Sequence, residues 1–432
     1  MGRASRGKKA RDRDHQGEWT ATRAAVKASA IRSDTLRLLP GNPWVRVMVS
    51  SNINNVLSDM HRVLLNSDAP EGSAWELACS MILGKLGMRP PWPPGPDAAA
   101  TWQLDQDVRI LRSAELTVIS PSAHAAVMAA AATLEPGDLT LLSRDRDVVT
   151  PTGLLVLPEP VVCVNRTGSQ SDTLAYGWHF TTQHQIHPTA QYPGVRISTF
   201  MDRDGPLQPD DWRTAVTQAR AAGHPLPRLV PDGTYGMRGD RPGASANEPS
   251  TELLTDMHKE LQAALTQASA WRSEPVADIG EWSGGRVEDP DDDFACRYMF
   301  AFWRLVAQGT TTTTSPPPAL EGPRDIRVVR LARQIPAQRT PEAGQGKEVR
   351  TYHHRWPVRM HKVRQWYPSA QEHRLIWRGP YIKGPADAAG PLILVKLSVD
   401  LAMPWQGIWA LAVVIGTLPV IHVLLGNRHD KR

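Results

Sequence analysis

Near residue 150 the apolar residues change from a helical spacing to that of strands, and this change limits the architectures open to the chain. Before it, residues 21–39 are Ala-rich with helical spacing, and residues 52–65 set Ile53, Val56, Leu57, Met60 and Leu64 on one face. Residues 73–87 open on Ser73-x-x-Glu76, the pattern of a capping box. They carry a stripe of Ala74, Leu77, Ala78, Met81 and Ile82 and stop at Gly87. Residues 102–116 turn Leu104, Val108 and Leu111 inward as a helix, and residues 121–134 begin another with proline in its first turn. After the change, residues 153–157 and 161–164 are short apolar runs bounded by prolines, hence strands of a buried sheet, which 173–182 and 195–201 extend. Helical spacing returns over 210–222, 250–271 and 294–308. The expected fold is α+β, with a helical N-terminal part and a mixed central β-sheet.

Prolines and glycines, 37 and 32 of the 432 residues, punctuate this pattern. The run from Arg89 to Pro96 cannot be helical and reads as a stiff loop. Threonines at 310–314 and prolines at 316–318 read as a linker, and residues 326–331 as a strand beyond it. The organisation predicted is a basic disordered tail (1–20), a helical part (21–150), an α+β core (151–308), a Thr/Pro linker (309–320), a basic-aromatic module (321–400) that completes the sheet, and a hydrophobic segment (405–426).

The net charge of +5 is unevenly spread. Residues 1–17 hold six Lys or Arg against two Asp, which reads as a solvated tail before it reads as an arm for nucleic acid. Residues 274–293 hold eight acids against one Arg. Of these, Asp291, Asp292 and Asp293 suit the N-terminus of the apolar helix that follows better than a cation site. The three cysteines, Cys79, Cys163 and Cys296, are too far apart for a metal motif or a disulfide framework. Cys79 and Cys296 fall in apolar helical patterns, as core thiols in a reducing compartment do. No apolar stretch follows the charged N-terminus, so the expected location is cytoplasmic. His179-x4-His184-x2-His187 has no Cys or acid at ligand spacing, and zinc is not expected there. Phosphate-binding glycine loops and the serine-nucleophile elbow are absent from the sequence, which removes nucleotide-driven and serine-hydrolase chemistry. No cofactor and no metal are expected.

Chemistry concentrates between Arg350 and Gly384, where eight Lys or Arg face a single carboxylate, Glu372. Four histidines and six aromatic residues are interleaved with them. Guanidinium groups pair with phosphates, and aromatic faces stack unpaired bases. Pro357 and Pro368 exclude one continuous helix, so short strands and turns are expected. The candidate nucleic-acid-binding residues are Arg355, Trp356, Arg359, His361, Arg364, Trp366, Tyr367, His373, Arg374, Trp377 and Lys383. The bland reading is a basic surface strand whose tryptophans pack inward. A runner-up is a metal-independent ribonuclease with His361 or His373 as general base and Arg359 or Lys383 stabilising the transition state. A third reading is a membrane-associated interaction protein. It rests on the charge-free run that begins at Gly407 and ends at Gly426, about the length that crosses a bilayer core of ~30 Å.

The block Arg355-Trp356-Pro357-Val358-Arg359-Met360-His361, with Trp377 and a closing strand after it, resembles the C-terminal R-x-G-H-W … W block of a phage- and plasmid-encoded family. That family includes a type V-A anti-CRISPR protein. Trp102-Gln103-Leu104-Asp105, residues 153–160 (GLLVLPEP) and residues 294–306 fall in the same order as the family's other blocks. The resemblance implies a mobile-element regulatory protein that lowers the messenger of a CRISPR effector by engaging RNA or a ribosome-associated nascent chain, without catalysis of its own. Met360 stands where the family usually has Gly, and Lys362 where it usually has Trp, so the turn and one stacking face are where this chain is expected to differ.

Overall fold

The computed structural model describes residues 19–66, 71–165, 170–184, 191–205, 208, 210–224, 226–239, 286–289, 293–307, 311–314, 326–331, 355–368 and 371–384. The chain enters through four helices. In α1 (Ala21–Leu38) the preceding Thr20 side chain accepts the Arg23 N–H and so caps the first turn. Helix α2 (Pro43–Asn66) has proline in its first turn, where the missing N–H leaves no bond unmade. Helix α3 (Glu71–Cys79) runs on into a π-helical turn, Ser80–Gly84, and α4 (Pro96–Ser113) again begins on proline. Their apolar stripes, among them Ala25, Ile31, Val49, Leu57 and Leu111, merge into one buried cluster.

The sheet threads through the rest of the chain. Strand β1 (Glu115–Ile119) is followed by α5 (Pro121–Ala131), a 3₁₀ turn (Pro136–Leu141) and the short α6 (Arg144–Asp147). Then come β2 (Thr152–Asn165), β3 (Gln170–His184), β4 (Gln191–Asp202), α7 (Asp210–Ala221) and β5 (Leu229–Arg238). After β6 (Arg286–Asp289) the apolar α8 (Phe294–Ala307) precedes β7 (Thr311–Thr314) and β8 (Ile326–Leu331). The order across the sheet is β5-β4-β3-β2-β1-β8-β7, with β6 beside the far half of β2. Strand β1 lies parallel to both β2 and β8, whereas β2 to β5 form an antiparallel meander. The sheet is therefore mixed, as the sequence implies.

Alternation along the strands divides the core in two. Leu116, Val118, Leu154 and Val156 join the cluster under α1 to α4, while Ile119, Leu155, Leu157, Trp178 and Ile197 join a second cluster with α5 and α8. A strand covered on both faces must be apolar at nearly every position, which accounts for GLLVL in β2. Helix α8 supplies the bulk on its side: Tyr298, Phe300 and Trp303 are fully buried. Tyr298 stacks on Tyr176 at 4.9 Å and its hydroxyl bonds the buried His124 Nδ1 at 2.7 Å. Burial lowers the His124 pKa to about 4, so the imidazole is neutral at neutral pH.

Two polar groupings involve residues of the β3–β5 meander. Arg196 and Asp107 are wholly buried; Arg196 Nη2 donates to Asp107 Oδ1 at 3.2 Å, Ser198 Oγ donates to the same oxygen at 2.7 Å, and the guanidinium sits 5.2 Å from the Trp102 ring centre. Elsewhere in the meander Arg228 donates to both oxygens of Asp202, at 2.9 and 2.8 Å, and Gln208 Nε2 donates to Asp172 at 3.2 Å. Burial, followed by the charge of Asp232, pushes the Asp172 carboxyl up to about 8, and burial raises Asp232 to about 6.

Several expectations are corrected. Ser73 lies inside α3 rather than at its cap, so the Ser73-x-x-Glu76 box does not start the helix. Leu116, expected to end a helix, lies in β1, because it leads into the β-branched run Thr-Val-Ile and the strand is buried on both faces. The threonines expected in a linker form the edge strand β7, as β-branched residues favour extended backbone. Strand β8 belongs to the core sheet, so neither 150 nor 321 is a structural boundary. Strand β5 was not anticipated: Pro231, Gly233 and Gly236 hide it. The prolines Pro158 and Pro160 do not end β2 but coincide with an irregularity in its pairing between Val156 and Val161, where no ladder N–H is needed. The helical reading of 250–271 and the tail 1–17 lie outside the described residues.

Candidate nucleic-acid interface

The basic-aromatic segment does not complete the central sheet. It forms two small antiparallel pairs: β9 (Trp356–Val358) with β12 (Tyr381–Lys383), and the hairpin of β10 (His361–Tyr367) with β11 (Glu372–Arg378). The first pair is the base. Ile382 is buried in the cluster under α5 and α8, and Met360 packs against it. Arg304 of α8 clamps the base, giving one N–H to the Gly379 carbonyl at 3.2 Å and another to Asp147 at 2.7 Å. At Gly379 φ is +103°, and a Cβ there would lie 2.7 Å from the Arg359 carbonyl oxygen, so the crossing of the two chain segments requires glycine.

The hairpin carries the exposed chemistry. Its register pairs His361 with Arg378, Lys362 with Trp377, Arg364 with Leu375, Trp366 with His373, and Tyr367 with Glu372. Residues directly opposite share a face, and so do alternate residues of one strand. Lys362, Arg364, Trp366, His373 and Trp377 therefore stand on one face. All five are exposed, Trp366 by 47% and Trp377 by 40%. The Trp366 and His373 ring centres are 4.9 Å apart, and the Lys362 ammonium lies 5.1 Å from the centre of the Trp377 ring. Arg364, between them, makes no ion pair among the described residues.

The other expected residues are placed differently. Arg359 pairs with Glu135 and donates to the Thr133 carbonyl at 3.3 Å, which docks the module on the loop after α5 and takes this guanidinium away from the hairpin face. His361 is half-buried, with Nδ1 bonded to the Arg359 carbonyl at 2.9 Å and its ring near Tyr381. Arg355 and Trp356 are half-buried at the start of the base, and Lys383 pairs with Trp356 across it. Tyr367 is half-buried on the opposite hairpin face, and Arg374 pairs with Gln365 in the ladder. Lys362, absent from the candidate residues, joins the site; its signal is the alternation Lys362, Arg364, Trp366. Sequence reading could have found the shared face from this period of two.

The ribonuclease constellation does not assemble. His361 and His373 stand on opposite faces, five rungs or ~17 Å apart along the ladder, and Arg359 is held by Glu135. His179 pairs with Arg196 across β3 and β4, and burial first, then the charges of Arg196 and Arg109, lowers its pKa to about 4. Among the described residues no group of His, Cys, Asp or Glu is arranged to hold a metal ion. His187 lies outside them, as do Asp291 and Asp292; Asp289 and Asp293 cap α8, where Asp289 accepts the Asp293 and Phe294 N–H groups and both carboxylates bind Arg297. No described helix is long and apolar enough to cross a membrane, and the run from Gly407 to Gly426 lies outside the described residues.

Met360 is not in the left-handed region, which Gln371 alone occupies among the described non-glycine residues, so the corner does not need Gly and the side chain fills space beneath α5 instead. Lys362 lies over the Trp377 ring, a cation against an aromatic face. The chain matches no protein-family model, no curated protein and no solved structure.

Proposed function

We propose that this chain is a regulatory protein that binds RNA through the exposed face of the β10–β11 hairpin and acts without catalysis of its own. One observation carries the reading: Lys362, Arg364, Trp366, His373 and Trp377 share a solvent-facing surface, whereas tryptophans with only a packing role would turn inward. Cations for the backbone and exposed indoles for bases are what single-stranded recognition needs. The order of sequence blocks supports a mobile-element origin and an anti-CRISPR-like role, with the protein acting in the cytoplasm on a messenger or on its translation. The scattered histidines give no support to the ribonuclease alternative, and no described feature favours the membrane one.

Crosslinking followed by sequencing of bound RNA, with wild type beside Arg364→Ala/Trp366→Ala, tests the proposal. Enriched RNA that is lost in the variant is expected. Equal recovery from both, or no RNA from either with a nascent chain copurifying instead, would overturn it.

A further inference from the structure

The spacing of the two indoles sets the shape of the ligand. Trp377 stands one rung from the start of the β10–β11 ladder and Trp366 stands five, on the same face. Four rungs at ~3.3 Å separate them by about 13 Å along the strands. Neighbouring bases in a stacked strand are ~3.4 Å apart. Two adjacent bases therefore cannot reach both indoles, while bases about four stacked steps apart can, and a strand drawn out of its stack covers the interval in fewer steps. Arg364 stands three rungs along, between the two rings, exposed on the same face.

We propose that this face is a two-point clamp for single-stranded RNA: Trp366 and Trp377 each stack one base, the bases are not neighbours, and Arg364 binds a phosphate of the connecting nucleotides. This rests on the RNA-binding reading above and specifies its ligand. The footprint is about three to five nucleotides. Base identity matters little, because every base offers a π-face and the hairpin face holds no carboxylate or amide among its exposed side chains to read an edge. The His373 ring beside Trp366 and the Lys362 ammonium over Trp377 each contact one indole, which limits its rotation before a base arrives. A duplex fits poorly, since its bases are already stacked and offer no free faces to the rings.

The clamp is tested with the full-length protein by fluorescence anisotropy on oligouridylates of three to eight nucleotides, on a six-nucleotide strand carrying one abasic site at each position in turn, and on a blunt RNA duplex. The expected result is affinity that rises up to about five nucleotides and then levels. Two separated abasic positions should each weaken binding by between about fivefold and about a hundredfold, with a tolerant position between them. Trp366→Ala should erase sensitivity at one of the two positions and Trp377→Ala at the other, while Trp366→Phe and Trp377→Phe should keep most of it. Equal sensitivity at all positions, two adjacent sensitive positions, or tighter binding of the duplex would overturn the clamp and leave the RNA-binding reading standing. Failure to bind any oligonucleotide or a long transcript would overturn both.

Discussion

Asp172 gives the fold a pH dependence that a single substitution should remove. Its carboxyl is buried on β3, and burial and the neighbouring Asp232 and Asp202 outweigh the hydrogen bonds from Gln208 and from its own backbone N–H, so that its pKa rises from 3.8 to about 8. In the window between those values the folded protein holds a proton that the unfolded chain has lost. The unfolded state thus binds fewer protons, and stability falls as pH rises. Other groups mask part of this. Asp232, raised to about 6, adds to the fall below pH 6. His124 and His179, lowered to about 4, oppose it, because the unfolded imidazoles take up protons below ~6.5. Between pH 6.5 and 8 Asp172 is left as the main contributor, and 1.5 pH units at ~1.4 kcal/mol each give about 2 kcal/mol. Asp172→Asn keeps the shape and an acceptor for Gln208 but cannot ionise. Urea unfolding at half-unit steps from pH 6 to 8.5 should show the wild type losing about 2 kcal/mol across that window and the variant nearly flat. Equal slopes in the two proteins would refute the reasoning.

Arg196→Met should destabilise the protein by ~3–5 kcal/mol, since it leaves the buried Asp107 without its cation, and Arg196→Met/Asp107→Leu should recover much of that loss in the same urea titration. Arg359→Ala breaks an ion pair whose partners are mostly exposed, so it should shift stability by less than about 1 kcal/mol and leave RNA affinity unchanged, while Arg364→Ala weakens RNA binding; anisotropy separates the two. Gly379→Ala places a Cβ against the Arg359 carbonyl at a positive φ and should cost ~1–3 kcal/mol. Limited proteolysis should then cut the β9–β12 module faster than in wild type.

The layered core was legible where one force acted alone. The apolar stripes of α1 and α5 and the doubly covered β2 follow from periodicity, and burial made both periods strong. Cys79 and Cys296 are buried thiols, as their apolar surroundings implied. Where two signals competed, the sequence misled. Leu116 continues the helical spacing of α4, yet the pairing of β1 with β2 and β8 claims it. Pro231 and Gly233 read as breakers, yet Gly233 donates its N–H to Thr199 Oγ1 at 2.7 Å, and an irregularity in the β4–β5 pairing accommodates the proline beside it. At the candidate site the residue types were evident, but the pairing register was not. Arg359 sits in the link before β10 and faces Glu135, while Arg364, five residues later, is exposed on the hairpin by its register.

Strand β1 is completed by neighbours made long after it. Its partner β8 begins at Ile326, about 200 residues beyond Ile119. At a synthesis rate of ~5–20 residues per second, one edge of this apolar strand waits about 10–40 s for its partner to be made. Until then the N-terminal helices can cover one face of β1 but cannot pair its backbone. The sheet is therefore completed only after β8 is made, and a chain released before then would carry an open, aggregation-prone edge at β1.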